Sequence, residues 1–151
     1  MGFIDLVNCR EEGVALAERI AGQAGHVNYD VIPSVVYTYP EVAWVGKTEE
    51  QLKAAGVKYK VGKFPFIGNG KAIALGEAEG FVKTVFDAKS GELLGAHMVG
   101  AEVTELIQGY VIARQLESTE AELMETIFPH PTISESMHEA VLAAYGRAIH
   151  I

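Results

Sequence analysis

Three features of this sequence predict an α+β sandwich, an antiparallel β-sheet with helices packed on one face. Residues 81–86 and 93–99 are two strand-like runs joined by a polar turn, Asp87-Ala-Lys-Ser-Gly91-Glu, with glycine near its end. Val57, Tyr59 and Val61 alternate with Lys58 and Lys60, the pattern of a strand with one wet face. Beyond residue 103 the apolar period changes from two to helical and stays so. Hairpin-linked strands followed by a run of helices bury one sheet face beneath those helices.

The elements follow in chain order. Residues 1–10 show no clear period and read as a leader. Residues 11–24 read as a helix with Val14, Ala17, Ile20, Ala21 and Ala24 as its apolar stripe and Gly25 as its stop. Residues 26–33 are a linker. Residues 34–39 are β-branched and aromatic, a strand closed by Pro40. Residues 40–46, which hold the only tryptophan, Trp44, read as a short apolar loop. Thr48-x-x-Gln51 is a capping box opening a short helix that stops at Gly56. The strand around Tyr59 continues past Pro65 to Phe66, which places it at a sheet edge or a bulge. Residues 67–80 are glycine-rich and loop-like, with one helical turn near 71–75. Gly68-Asn-Gly70 lacks the spacing of a phosphate-binding loop.

Val103, Leu106, Ile107, Tyr110, Val111 and Arg114 lie on one face of a helix of about four turns. Gly109 inside it implies a close approach by another backbone, since glycine there costs about 1 kcal/mol relative to alanine. Ser118 and Thr119 cap a short helix over 120–127, and a last helix spans 134–148 with Met137, Val141, Ala144, Tyr145 and Ala148 as its stripe.

The chain of 151 residues is long enough to bury a core in one domain. Its net charge of −8 argues against a nucleic-acid partner, which needs clustered Lys and Arg, and favours a basic protein partner. No run approaches the roughly 18 apolar residues of a membrane span. With Cys9 as the single cysteine, no intrachain disulfide, dithiol or four-thiolate metal site can form, which fits a reducing compartment. The histidines show no metal-ligand spacing, so no metal site is assigned; His97 reads as a packed strand residue and His138 as a surface helix residue.

The chemistry concentrates in Phe128-Pro-His130-Pro-Thr-Ile-Ser-Glu135. Two prolines hold His130 on a stiff, extended segment in front of the last helix. Thr132-x-x-Glu135 has the form of a capping box. Two readings stand side by side. Glu135 caps the helix, or it fixes the tautomer of His130 and the pair forms a general base.

Two stretches carry a resemblance: Pro33-Ser-Val-Val-Tyr-Thr-Tyr-Pro-Glu-Val-Ala-Trp-Val-Gly46 and His130-Pro-Thr-Ile-Ser-Glu135. From about Gly13 onward the chain resembles the C-terminal dimerisation (interface) domain of the dihydrolipoamide dehydrogenase family, flavin-dependent pyridine nucleotide–disulfide oxidoreductases. The runs 47–52, 95–100 and 140–146 resemble the lipoamide branch in particular, while glutathione reductase shares a similar His-Pro-Thr motif. The resemblance implies that His130 and Glu135 are the catalytic pair. His130 would take the proton of a dihydrolipoamide thiol and act in trans on the other subunit's redox centre. The backbone at His130 and Pro131, often joined by a cis peptide, would touch the partner subunit's FAD. A fixed imidazolium beside a thiol favours the reactive thiolate, so the implied chemistry is consistent.

The resemblance also implies FAD and NAD in the full-length enzyme and none bound to this chain alone. The family's redox Cys-x4-Cys segment and its two glycine-rich nucleotide loops are not in these residues. The expected organisation is an unmatched leader (1–10, vector-derived or from a disrupted gene), a remnant helix of the FAD-binding domain with its linker (11–32), and the dimerisation domain (33–151). Expected partners are a second copy in a homodimer, the subunit-binding domain of the acyltransferase in a 2-oxo acid dehydrogenase complex, and dihydrolipoamide. The expected location is bacterial cytoplasm or mitochondrial matrix. Alone, the chain is expected to be inactive; the alternatives are a non-catalytic dimerisation and docking module, or the same domain of a related disulfide reductase.

Overall fold

A computed structural model describes residues 4–151, with side chains from Cys9 onward; the reading of residues 1–3 as leader lies outside them. The first helix, α1 (Ile4–Ile20), begins earlier and ends earlier than the apolar stripe implied. Gly22, at φ 77°, terminates it, not Gly25. The stripe is not buried either: Val14 and Ile20 are exposed, and from Cys9 onward Ala15 is the one buried residue of the helix. The chain folds back on that spot, where a Cβ on Gly25 would strike the Ala15 carbonyl.

Five strands follow: β1 (Ser34–Val36), β2 (Glu41–Gly46), β3 (Tyr59–Pro65), β4 (Gly80–Asp87) and β5 (Leu93–Gly100). They form one antiparallel sheet in the order β1-β2-β5-β4-β3. The segment read as an apolar loop is β2, an interior strand with Ala43 and Val45 fully buried. β3 is an edge strand that ends on Pro65, the position a donor-less residue can take. The helices are α2 (Glu49–Ala54), α3 (Gly70–Leu75), α4 (Val103–Gln115), α5 (Glu120–Glu125) and α6 (Glu135–Ala143). The Thr48 capping box opens α2 with both reciprocal bonds, and Thr119 opens α5 the same way. The last helix is shorter than expected: it stops at Ala143, and Ala148 is exposed.

α4 and α6 cover one face of the sheet and close the core over Phe64, Phe86, Met98, Ile107 and Tyr110. Alternation along β4 then sends Lys83 to the other face, where it pairs with Glu49 of α2 at 3.2 Å. The placement of α6 is tight and specific. Thr84 donates to the Ala140 carbonyl at 3.0 Å, and Tyr110 donates to the Met137 carbonyl at 2.8 Å. A Cβ on Gly62 of β3 would overlap that same Ala140 carbonyl, so only glycine lets the helix seat directly on the strand. Gly109 does mark a close approach, but of the Met137 side chain and not of another backbone.

Candidate active site

The residues before α6 form a short extended passage from α5. His138, one turn into α6, anchors this passage: its ring stacks on Phe128 at 5.2 Å, and its Nε2 lies 2.9 Å from the Met124 carbonyl. His138 is therefore half-buried and structural, not a surface residue. Pro129 and Pro131 flank His130, and the His130–Pro131 peptide is cis. The imidazole lies against the first turn of α6. There His130 Nδ1 meets Glu135 Oε1 at 2.9 Å.

The other carboxylate oxygen, Glu135 Oε2, accepts from the Thr132 N–H at 2.9 Å. One carboxylate thus meets both the imidazole and the Thr132 N–H, each with a different oxygen. The sequence offers these contacts as alternatives; the structure holds both. The Thr132 hydroxyl is diverted from capping: it donates to the Pro129 carbonyl at 2.7 Å and meets the Ser134 hydroxyl at 2.7 Å. Ser134 holds the N-cap position without a side-chain cap bond.

An ionised carboxylate only accepts, so the ring proton facing it sits on Nδ1. In the neutral ring this leaves the Nε2 lone pair free. Nε2 has no hydrogen bond among the described residues, and the side chain is 79% exposed against 33% for Glu135. Burial alone would raise the Glu135 pKa. The Thr132 N–H, the hydrogen bond and charge of His130 and the charge of His150 outweigh it and hold the carboxyl below its ordinary range. Its position at the first residue of α6 works in the same direction, since the helix N-terminus favours negative charge.

Asn69 holds this loop from outside. It is 6% exposed, caps α3 by accepting from Ala72 N–H at 2.9 Å, and donates to the Thr132 carbonyl at 3.0 Å. The sequence reading passed over it as part of a glycine-rich loop, although asparagine before a short apolar run is a cap signal. Asn69, His130, Pro131, Glu135 and His138 line an open cleft of about 900 Å³, together with Glu139 and His150. His97, on β5 between Trp44 of β2 and Lys83 of β4, is half-buried; desolvation and then the Lys83 charge lower its pKa. It is a packed strand residue. Among the described residues no cluster of His, Cys, Asp and Glu is placed to hold a metal ion, and no helix is long and apolar enough to cross a membrane.

The model of the pyridine nucleotide-disulphide oxidoreductase dimerisation domain matches residues 32–141. The chain belongs to this family. It is 66% identical over 142 residues to the dihydrolipoyl dehydrogenase of Zymomonas mobilis, covering 92% of this chain and 30% of that protein. It is 49% identical over 141 residues to the mitochondrial dihydrolipoyl dehydrogenase 1 of Arabidopsis thaliana, covering 93% of this chain and 28% of that one. Among solved structures, LpdA of Mycobacterium tuberculosis superposes with a TM-score of 0.77 at 27% identity, over 83% of this chain and 28% of its own. The HOCl-induced flavoprotein disulfide reductase RclA of Escherichia coli superposes with a TM-score of 0.77 at 25% identity, over 84% and 30%. The chain therefore spans about 30% of the length of the curated relatives it matches. As a member of this family it shares the dimerisation-domain fold, and the His130–Glu135 contact lies within the matched residues.

Proposed function

We propose that this chain acts as the dimerisation domain of a dihydrolipoyl dehydrogenase, offering His130 and Glu135 as a general base to the redox centre of a second subunit. One observation carries this reading. His130 is held at Nδ1 by a carboxylate while its Nε2 stands open to solvent in a cleft, and the chain's one cysteine, Cys9, cannot form the redox pair. A base this exposed, with its far nitrogen open to the cleft, fits a site completed by another chain.

The steps assigned to these residues are proton transfers. Nε2 takes the S–H proton of a dihydrolipoamide thiol, leaving a thiolate as the nucleophile. Glu135 keeps the Nδ1–H in place and offsets the positive charge of the imidazolium. FAD and NAD in the whole enzyme supply the path by which the electron pair leaves the dithiol. Pro131 is exposed beside His130, so their backbone suits an approach by the partner subunit's flavin ring. In this reading 33–151 is the dimerisation domain and residues 11–32, the later part of α1 with its linker, are the end of a flavin-binding domain. The exposure of Leu16 and Ile20, four residues apart on one side of the helix, supports that reading, as an apolar helix face prepared for other surfaces. A cleft of about 460 Å³ between α4 and α6, rimmed by exposed Ile112 and Leu116, supports a homodimer contact. The net charge of −8 suits a basic acyltransferase subunit-binding domain. A bacterial cytoplasm or a mitochondrial matrix would be the location, in line with the bacterial and mitochondrial relatives.

The test is a chimera that joins residues 33–151 to the flavin and nicotinamide domains of the Zymomonas mobilis enzyme. It should oxidise dihydrolipoamide with NAD⁺, and His130→Ala should lower kcat by roughly 10²- to 10⁴-fold. An unchanged kcat in that variant overturns the base assignment. The likeness to RclA favours one second reading, the same domain serving a different disulfide; a chimera that turns over only with another disulfide substrate would select it.

A further inference from the structure

We infer that Glu139 is a positioning residue: it ties the C-terminal residues 149–151 back along α6 and so builds one wall of the His130 cleft. Glu139 is 5% exposed, and a buried carboxylate persists only where donors replace its water. It has three. Oε2 accepts from the Ile149 N–H at 3.0 Å and the His150 N–H at 3.2 Å, and Oε1 meets His150 Nδ1 at 2.9 Å. The chain reverses at Gly146, φ 66°, to bring these groups back onto the helix. The tail then ends against the loop that holds the site: Ile151 Cδ1 lies 2.7 Å from where a Cβ on Gly68 would sit, directly before Asn69.

Glu135 and Glu139 are four residues apart and so share one face of α6. Each grips a histidine, and both pairs line the same cleft. The tail reaches the catalytic carboxyl in two ways. Ile151 backs the Gly68-Asn69 turn, and Asn69 in turn fixes Thr132, whose N–H bonds Glu135. His150 also adds positive charge near Glu135, one of the causes that lower its pKa. Releasing the tail removes both influences. The importance of this wall for turnover rests on the reading of His130 as the base, but the clamp does not.

The experiment compares the 151-residue chain with Glu139→Gln and with a chain ending at Ala148, by amide hydrogen exchange and carboxyl NMR titration. Glutamine keeps the shape and loses the charge and one acceptor. In Glu139→Gln the Ile149 and His150 amides should exchange roughly ten- to hundred-fold faster, as expected for loss of charge-assisted hydrogen bonds, while the sheet amides stay protected. The Glu135 titration midpoint should rise in the chain ending at Ala148, which loses the His150 charge and keeps Glu139. Unchanged exchange at Ile149 and His150 overturns the clamp. A Glu135 midpoint unmoved by that truncation overturns the positioning role. Glu135→Gln separates this from the base reading: it should leave the tail protected and move the His130 ring resonances, and a His130 ring unmoved there fails the base reading alone.

Discussion

α6 carries the glutamates of two histidine–glutamate pairs one turn apart, alike in contact atoms and distance and different in burial. Both put Nδ1 2.9 Å from a carboxylate oxygen. In His130–Glu135 the imidazole precedes the helix, sits between two prolines and is 79% exposed, with the carboxylate at 33%. In His150–Glu139 the imidazole follows the helix and the carboxylate is 7% exposed, bonded also to two backbone amides. The difference teaches what burial does to a shared chemical unit. Glu139, cut off from water, uses three hydrogen bonds to hold the tail. Glu135, at the open end, holds one amide and keeps the other oxygen for an imidazole whose far nitrogen faces the cleft.

Both pairs depend on the seating of α6, so the largest change comes from lifting it. Gly62→Ala drives a Cβ into the Ala140 carbonyl and should cost about 3 kcal/mol, with both histidine environments perturbed together in NMR spectra. Only retention of the wild-type urea midpoint would show that the helix tolerates the shift. Next comes the buried pair alone. Glu139→Ala should cost about 2 kcal/mol and free the tail, because two amides and His150 lose one charged acceptor, while His150 itself remains half in water. The exposed pair should matter less to stability. Glu135→Ala should cost about 1 kcal/mol, mostly as a lost cap, since ion pairs this exposed contribute little. If Glu135→Ala costs more than Glu139→Ala, the contrast between the pairs is wrong.

That contrast also marks what the sequence made legible. The strands around the 87–92 turn, the capping box at Thr48, the helix cap at Thr119 and the edge position of Pro65 rest on local rules, and the structure shows them. His130 and Glu135 were found because prolines and a capping-box spacing are also local. β2 was missed: it pairs with β5, some fifty residues onward, and its run Glu41-Val-Ala-Trp-Val-Gly46 is apolar without strict alternation. Glu139 was missed for the same reason. Inside an amphipathic helix its sequence neighbourhood is that of any solvated glutamate, and its donors arrive from a tail ten and eleven residues later. Asn69 had a local signal, the helix cap, but its second bond crosses 63 residues to Thr132.

A narrower probe separates the two pairs through Asn69. Asn69→Ala should cost about 1 kcal/mol as a lost cap for α3, and it also removes the donor to the Thr132 carbonyl. The His130 signal should broaden or shift while the Ile149 and His150 amides keep their slow exchange. Equal perturbation of both would mean that the loop and the tail move as one body.

The smallest effect is the dependence of stability on acid at Glu135. Its folded carboxyl titrates below the ordinary glutamate value of about 4.3, so on acidification the unfolded chain binds the proton first. The stabilisation from this group is therefore complete above that ordinary value and fades as pH falls through the lower folded value. Urea midpoints of wild type and Glu135→Gln, measured in parallel from neutral pH downward, should differ by a constant amount at neutral pH and converge in acid. Taking the difference cancels the other carboxylates, Glu139 included. A gap that widens toward low pH would mean that Glu135 is destabilised by its surroundings when charged. The open pair would then be a strained base and not a satisfied one.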